Sequence, residues 1–468
     1  MEKQAELVMP KISMKDEFID LDFGSVRLEK RFLKTMEILG RKPDKSIWVC
    51  SKNRAEAKAT YRMLSNDSLD REEILRSHRE AVHLRMVDAG EVILLIQDTS
   101  GLNYNTQKKM EGLGLMCDKT LGINVHSCIA VTASGLALGV LDQIYYNHEE
   151  EDSNLTKSQK RNRPLEEKES VRWVNTLRDS TANLPEGVKV VTVCDREGDM
   201  YELFNEAVST GKEFLIRVAH NRNTKEDTKI KDEIMKKPCD FKVETTIPRD
   251  SRKGIKEREA KLEVRFGSFE VKRPKSLDKF KNLEDSHKVN IVYIKEEESE
   301  GIIEPIEWFL MTNCPVKDAM SAYEKVQWYV QRWKIERFHY VLKSGCNVEK
   351  LQERSVEKMK TLILMYSIIA MTIMNITYIA RLFPDLPCTV CFEEEEWKVL
   401  YCTANKTNTP PDEPYTIAEA VRYLSLLGGP KRAPSDGPPG VKTIWLGLEC
   451  LNNLLAYKDW LPNKVGQV

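Results

Sequence analysis

Two short runs rich in β-branched residues constrain this chain most: Glu91–Asp98 (Glu-Val-Ile-Leu-Leu-Ile-Gln-Asp) and Val188–Asp195 (Val-Lys-Val-Val-Thr-Val-Cys-Asp). Runs of that length and composition predict strands buried on both faces, and each closes on an aspartate. Between them, Val125–Thr132 and Leu136–Leu141, separated by Ala133-Ser-Gly135, predict an antiparallel hairpin, and Val171–Leu177 opens a helix. Met200–Ala207 predicts a further helix and Glu213–Ala219 a third core strand. This order specifies an α/β (α+β) fold, a mixed sheet flanked by helices. From Phe241 to Asn313 the period becomes that of strands again (Phe241–Ile247, Lys261–Phe266, Val289–Ile294, Trp308–Thr312), a β-rich insertion.

The flanks read differently. Residues 16–90 predict helices dense in Arg and Lys, with Ser25 placed to cap a basic amphipathic helix. Leu33, Ile38, Leu39, Trp48, Tyr61 and Leu64 are the expected small core there. Thr361–Ala380 is long enough to span a bilayer, but its Ser367, Asn375 and threonines predict a helix buried in protein. No membrane partner is expected. Beyond it the chain is punctuated by Pro384, Pro387, Pro410, Pro411 and Pro414, and Gly428–Gly440 is an expected basic loop. A last helix, Val441–Trp460, carries Trp445 and several leucines.

Length and charge narrow the classes. A chain of 468 residues holds more than one core. With a net charge of −1 there is no global basic footprint, so any nucleic-acid surface must be local. Eleven scattered cysteines without framework spacing point to a reducing, intracellular setting. The Met1–Glu6 start lacks an apolar core, so no signal peptide is expected. Cys388–Cys391 is a lone CxxC and predicts no zinc site, and Gly112–Gly114 lacks a phosphate-loop lysine, so no nucleotide cofactor is expected.

The chemistry concentrates in Tyr329–Lys343, which lacks Gly and Pro, within a stretch Ser321–Ser344 expected to form one continuous helix. At about 100° per residue, Tyr329, Arg332, Glu336 and Lys343 fall on one narrow stripe. Val330, Trp333 and Val341 on one side, with Trp328, Ile335 and Leu342 on the other, predict a largely buried helix. Arg332 and Glu336 at i, i+4 also suit an ordinary ion pair. Two strand-end aspartates and this glutamate make three hard-oxygen donors, the set that holds Mg²⁺ or Mn²⁺ for phosphoryl transfer. The cations beside Glu336 then suit phosphate contacts. Spacing alone does not choose Asp195 over Glu197 or Asp199.

Asp98-Thr-Ser, Asp195-Arg-Glu-Gly-Asp199 and the Tyr-x2-Arg-x3-Glu-x6-Lys pattern at 329, 332, 336 and 343 resemble the IS4-type DDE transposases over almost the whole chain. The resemblance implies an RNase H-like catalytic core at 76–380 with a β-strand insertion at about 240–313. It also implies a helical N-terminal domain at 1–75 that binds transposon ends and a C-terminal helical dimerisation domain at 381–468. Asp98, Asp195 and Glu336 match the metal-binding catalytic triad, 97 and 141 residues apart (195 − 98; 336 − 195), using Mg²⁺ with Mn²⁺ able to substitute. Tyr329, Arg332 and Lys343 match positions that grip DNA beside the cut. Trp308 matches the residue on which a flipped base stacks, and Arg217, Arg27, Arg31 and Arg62 match further end contacts. The implied function is cut-and-paste transposition through a hairpin intermediate, by a homodimer on double-stranded transposon ends and target DNA, in a bacterial cytoplasm beside the nucleoid. The residues around 148–163 and 250–290 depart from the family pattern. A metal-dependent nuclease without strand transfer, and an inactive DNA-binding inhibitor, are the alternatives.

Overall fold

The computed structural model describes residues 14–116, 120–147, 156, 159, 163–247, 258–280, 282–297, 305–429 and 438–458. Most of the Gly/Pro-rich stretch expected as a basic loop, residues 430–437, lies outside the described residues. So does the end of the last predicted helix.

Helices α1 (Val26–Arg41), α2 (Ile47–Cys50), α3 (Arg54–Met63) and α4 (Arg71–Ala89) come first. Strands β1 (Ile93–Asn103), β2 (Gly114–Leu115), β3 (Leu121–Thr132) and β4 (Ala137–Tyr146) follow. Then come α5 (Val171–Thr181), β5 (Val190–Cys194), α6 (Tyr201–Ser209), β6 (Glu213–Arg217) and α7 (Ile230–Lys236). Strands β7 (Phe241–Ile247), β8 (Arg258–Lys272), β9 (Ser286–Glu296) and β10 (Glu307–Thr312) precede α8 (Ala319–Val330) and α9 (Trp333–Tyr340). The chain closes with α10 (Val356–Leu382), α11 (Glu394–Asn405), α12 (Ile417–Gly428) and α13 (Val441–Lys458).

All ten strands form one sheet, running β2-β3-β1-β5-β6-β10-β9-β8-β7 with β4 beside β3. β3 and β4 are antiparallel, β1 is antiparallel to β3, and β1, β5 and β6 are parallel. This is the mixed sheet that the sequence predicts. The insertion strands do not form a separate layer; β10 pairs antiparallel with β6 and carries β9, β8 and β7 onward. Apolar cores lie on both faces. One joins the N-terminal helices, β1, β3, β4 and α10, and the other packs Trp173, Leu177 and Phe204 against Phe214 and Ile216. Helix α10 holds an apolar window as hydropathic as a membrane span, and that whole window is buried inside the protein. Its serine and threonine hydroxyls return to backbone carbonyls one turn back, Ser367 to Ile363 at 2.8 Å and Thr372 to Ile368 at 3.3 Å.

Two N-terminal expectations need correction. Trp48 is 55% exposed and Tyr61 is exposed as well, so neither belongs to the core. Helix α2 is a single turn whose inward position goes to Ile47, leaving Trp48 and Val49 outside. The core is instead built on Phe32, with Phe18 and Phe23 edge-on at 5.0 and 5.5 Å. Ser25 stands at the start of α1, but its side chain makes no capping bond. Glu29 reaches back to the Phe23 N–H at 3.3 Å instead.

A buried ion network ties these helices to the sheet. Arg85 of α4 grips Glu17 with both Nη atoms, at 3.0 and 2.8 Å, and donates to the Leu138 carbonyl at 2.9 Å. His78 accepts from the Val140 N–H at 3.2 Å through Nε2 and faces Glu17 with Nδ1 at 3.3 Å. Burial pushes the Glu17 carboxyl up, but Arg85 and His78 together outweigh it and hold it at about 2. Arg85→Met strands that carboxylate, so thermal or urea unfolding should show a loss of about 3–5 kcal/mol. In the wild type the Glu17 contribution is full above about pH 4.5 and is lost as pH falls toward 2. An Arg85→Met midpoint equal to wild type at pH 7 contradicts this.

Candidate active site

The parallel ladder between β1 and β5 ends at Ile96 opposite Val193, and β1 continues beyond it only against β3. Asp98 is therefore not at the end of its strand, as its sequence suggests, but two residues past the end of the parallel pairing. Asp195 follows β5 directly. Both carboxylates thus stand at the mouth where parallel strands part, the place where α/β sheets open a cleft.

Asp98 is largely buried, and one oxygen accepts the Thr99 N–H at 2.8 Å. Its other oxygen lies 3.9 Å from Arg332 Nη1 and 4.0 Å from His339 Nδ1. Burial, then the charge of Asp195, push its carboxyl up to about 7; Arg332 offsets part of this and Glu336 adds to it. Fully buried His339 is pulled down to about 3, so the 4.0 Å approach is contact with a neutral ring and not an ion pair.

Asp195 accepts the Glu197 N–H at 2.8 Å, starting a short 3₁₀ turn. The two other acids of that turn are committed elsewhere. Glu197 is 65% exposed and faces Arg172 at 3.3 Å. Asp199 is fully buried, held by Arg222 at 2.7 Å, and accepts the Ala219 and His220 N–H groups at 2.7 Å each. Of the three, Asp195 is the one whose charge stands out in raising the proton affinity of Asp98.

Glu336 comes from α9 and accepts from Arg332 Nη2 at 2.6 Å. The i, i+4 ion pair is real, and its guanidinium also faces Asp98. The expected continuous helix is broken, however. Gln331 and Arg332 form a tighter turn, Arg332 N–H bonding to Tyr329 at 3.0 Å and Ile335 N–H to Arg332 at 3.2 Å. The helix then widens into a π-helical segment, Val341–Gly345, that carries Lys343. One expected buried side is partly exposed: Trp333 and Val330 are each 46% open although Val341 of that side is buried, while Trp328, Ile335 and Leu342 are buried as predicted.

Tyr329 is buried against Trp308, ring centroids 5.3 Å apart. Arg217 closes β6 opposite Leu310, which brings its guanidinium 5.9 Å from the Trp308 ring and 3.2 Å from the Glu307 carbonyl. Lys343 is placed near His339, where its charge adds to the depression of that ring. Arg27 and Arg62 lie exposed on α1 and α3, and Arg31 lies half-buried on α1. Asp98, Arg217, Trp308, Tyr329, Arg332 and Glu336 are therefore linked by a run of contacts, with Asp195 and Lys343 acting on it through their charge.

Arg332 Nε and His339 Nε2 are buried without hydrogen-bond partners, and burial with the neighbouring Asp195 makes negative charge on Asp98 costly. Both features suit a site completed by a ligand. Hard carboxylate oxygens fit a divalent cation, but among the described residues no three acids, histidines or cysteines stand close enough to form a ready cage. Arg332 holds the cationic position between Glu336 and Asp98. Sequence reasoning missed His339, although its position three residues after Glu336 places it about 60° from that acid, and it missed Arg172, whose contacts are tertiary.

Three family models match the chain: a transposase DNA-binding model over residues 13–69, a transposase DDE domain over 167–373 and a transposase Tn5 dimerisation domain over 368–457. Asp195 and Glu336 fall within the DDE match and Asp98 precedes it. A solved structure, the cryo-EM structure of piggyBac transposase synaptic complex with hairpin DNA, is similar at a TM-score of 0.36 and 9% identity, covering 94% of this chain and 73% of that one. That likeness is too slight to bear on the fold.

A carboxyl raised on folding costs stability above its unfolded value and none below it. In chelator, Asp98→Asn should stabilise the fold at pH 8 by on the order of 2 kcal/mol, read as a higher thermal midpoint, with little change at pH 4. A lower midpoint at pH 8 contradicts the assigned charge balance.

Proposed function

The chain belongs to the DDE transposases of the IS4 and Tn5 type, and from that premise we propose that it moves DNA by cut-and-paste, with Asp98, Asp195 and Glu336 as the acids of its active site. The observation that carries this is one arginine that pairs with the helical glutamate and approaches Asp98, whose carboxyl also feels the charge of Asp195. Divalent ions, Mg²⁺ or Mn²⁺, would supply charge neutralisation at the scissile phosphate and a more acidic attacking water. The chain's own residues do the rest. Arg332 leaves Glu336 for a phosphate when DNA enters, exchanging one charge-assisted hydrogen bond for another. Lys343 and Tyr329 hold the backbone on either side of it.

First a strand is nicked to free a 3′-OH. That hydroxyl attacks the opposite strand, displacing a 3′ oxygen of the flanking DNA and leaving a hairpin end. A hairpin bends DNA sharply, and the Trp308–Tyr329–Arg217 group offers an aromatic platform with a cation for a base that leaves the stack. Reopening the hairpin restores the 3′-OH for attack on target DNA. We assign residues 1–75, with Arg27, Arg31 and Arg62, to binding the ends, 76–380 to catalysis and 381–468 to a homodimer that pairs two ends. The protein would act in the cytoplasm, at the nucleoid.

Glu336→Gln should abolish Mg²⁺-dependent cleavage of the element's own terminal repeats, by at least about 10³-fold, while gel-shift binding of those ends persists. Retained cleavage overturns the assignment.

A further inference from the structure

Behind the two aspartates lies a chain of polar contacts that the reaction does not use. Side chains alternate along a strand, so Gln97 and Thr99 point to the face of β1 opposite Asp98. There, Arg172 of α5 donates Nε–H to Thr99 Oγ1 at 3.3 Å. The Thr99 hydroxyl, occupied as an acceptor, gives its own proton to His126 Nδ1 at 2.8 Å. His126 is then protonated at Nε2, which lies 3.3 Å from Gln97 Oε1. Both neighbours of Asp98 are thereby anchored to one buried imidazole, itself packed edge-on against Trp173 at 4.5 Å.

The same guanidinium reaches the second aspartate's turn. Its Nη2 lies 3.3 Å from Glu197 Oε2, and Glu197 supplies the N–H that orients Asp195. Nη1 donates to the Glu169 carbonyl at 2.8 Å, and the plane sits 4.8 Å over Tyr146. Only 12% of the side chain is exposed, which suits a strut more than a DNA contact.

We propose that Arg172 is a positioning residue that sets the separation of Asp98 and Asp195 by bridging Thr99 to Glu197. The proposal rests on the reading of these aspartates as metal ligands. Outer partners of that kind typically change metal affinity about 10–100-fold when removed.

The test uses the full chain without DNA and reads bound Mn²⁺ by electron paramagnetic resonance, with thermal midpoints to check folding. Arg172→Ala should raise the half-saturating Mn²⁺ about tenfold or more, Thr99→Val should do the same, and the double variant should add little. Arg172→Lys, able to reach one end of the bridge only, should fall between. The Mg²⁺ requirement for end cleavage should shift in parallel, with gel-shift affinity unchanged. An unchanged Mn²⁺ titration for Arg172→Ala and Thr99→Val overturns the proposal, as do fully additive losses. Weakened DNA binding with wild-type Mn²⁺ affinity overturns it too, assigning Arg172 to the DNA. If Asp98→Asn and Asp195→Asn leave the Mn²⁺ titration unchanged, the metal-ligand reading itself fails and takes the bridge with it.

Discussion

Asp98 and Asp195 repel one another in a place with little water, and much of the molecule can be understood from how that repulsion is borne. Two carboxylates at the parting of parallel strands are costly unless a cation stands between them. In the structure the cation beside Asp98 is Arg332, which pairs with Glu336 and approaches Asp98 without a recorded contact to Asp195. It reaches them because the helix tightens at Gln331–Arg332, and α9 is held there by Ile335 and Phe338, both fully buried. The arrangement is a resting balance and not a finished metal site. Glu336 and Asp98 share one monovalent group, and Asp98, with Asp195 adding to its burden, keeps a proton affinity far above an ordinary carboxylate.

The sheet does more than hold the acids. Because β10 pairs with β6 and not with a separate layer, Trp308 and Arg217 are brought beside Tyr329 by strand register alone. The insertion thus delivers an aromatic platform to the same cleft as the acids without a hinge between them. Helix α10, with its apolar window wholly buried, packs beneath as the core against which the N-terminal helices, β4 and α9 are set. The Glu17–Arg85–His78 network then fixes the first helices to the catalytic sheet.

What the sequence reveals is what is local. Runs of β-branched residues gave the parallel strands, the apolar stretch at 361–380 gave α10, and the i, i+4 spacing gave the Arg332–Glu336 pair. What it conceals depends on partners distant in the chain. The length of β1 past Asp98 is set by β3, and spacing could not separate Asp195 from Glu197 and Asp199. The contacts set them apart, pairing buried Asp199 with Arg222 and turning Glu197 to Arg172. Trp48 looked like core because it is large and apolar, yet a one-turn helix has a single inward position and Ile47 takes it. His339 lay on the readable stripe and was overlooked; Arg172 carried no local signal at all.

The central claim is that the three acids form one metal-binding centre once Arg332 withdraws from Glu336. The most direct measurement is a crystal structure of the full chain with Mn²⁺ and a cleaved transposon end, using the anomalous signal of manganese. Anomalous peaks in contact with Asp98, Asp195 and Glu336, with the Arg332 guanidinium turned to a DNA phosphate, are the predicted result. Peaks on Glu197 or Asp199, or an Arg332–Glu336 pair unbroken beside bound DNA, would contradict it.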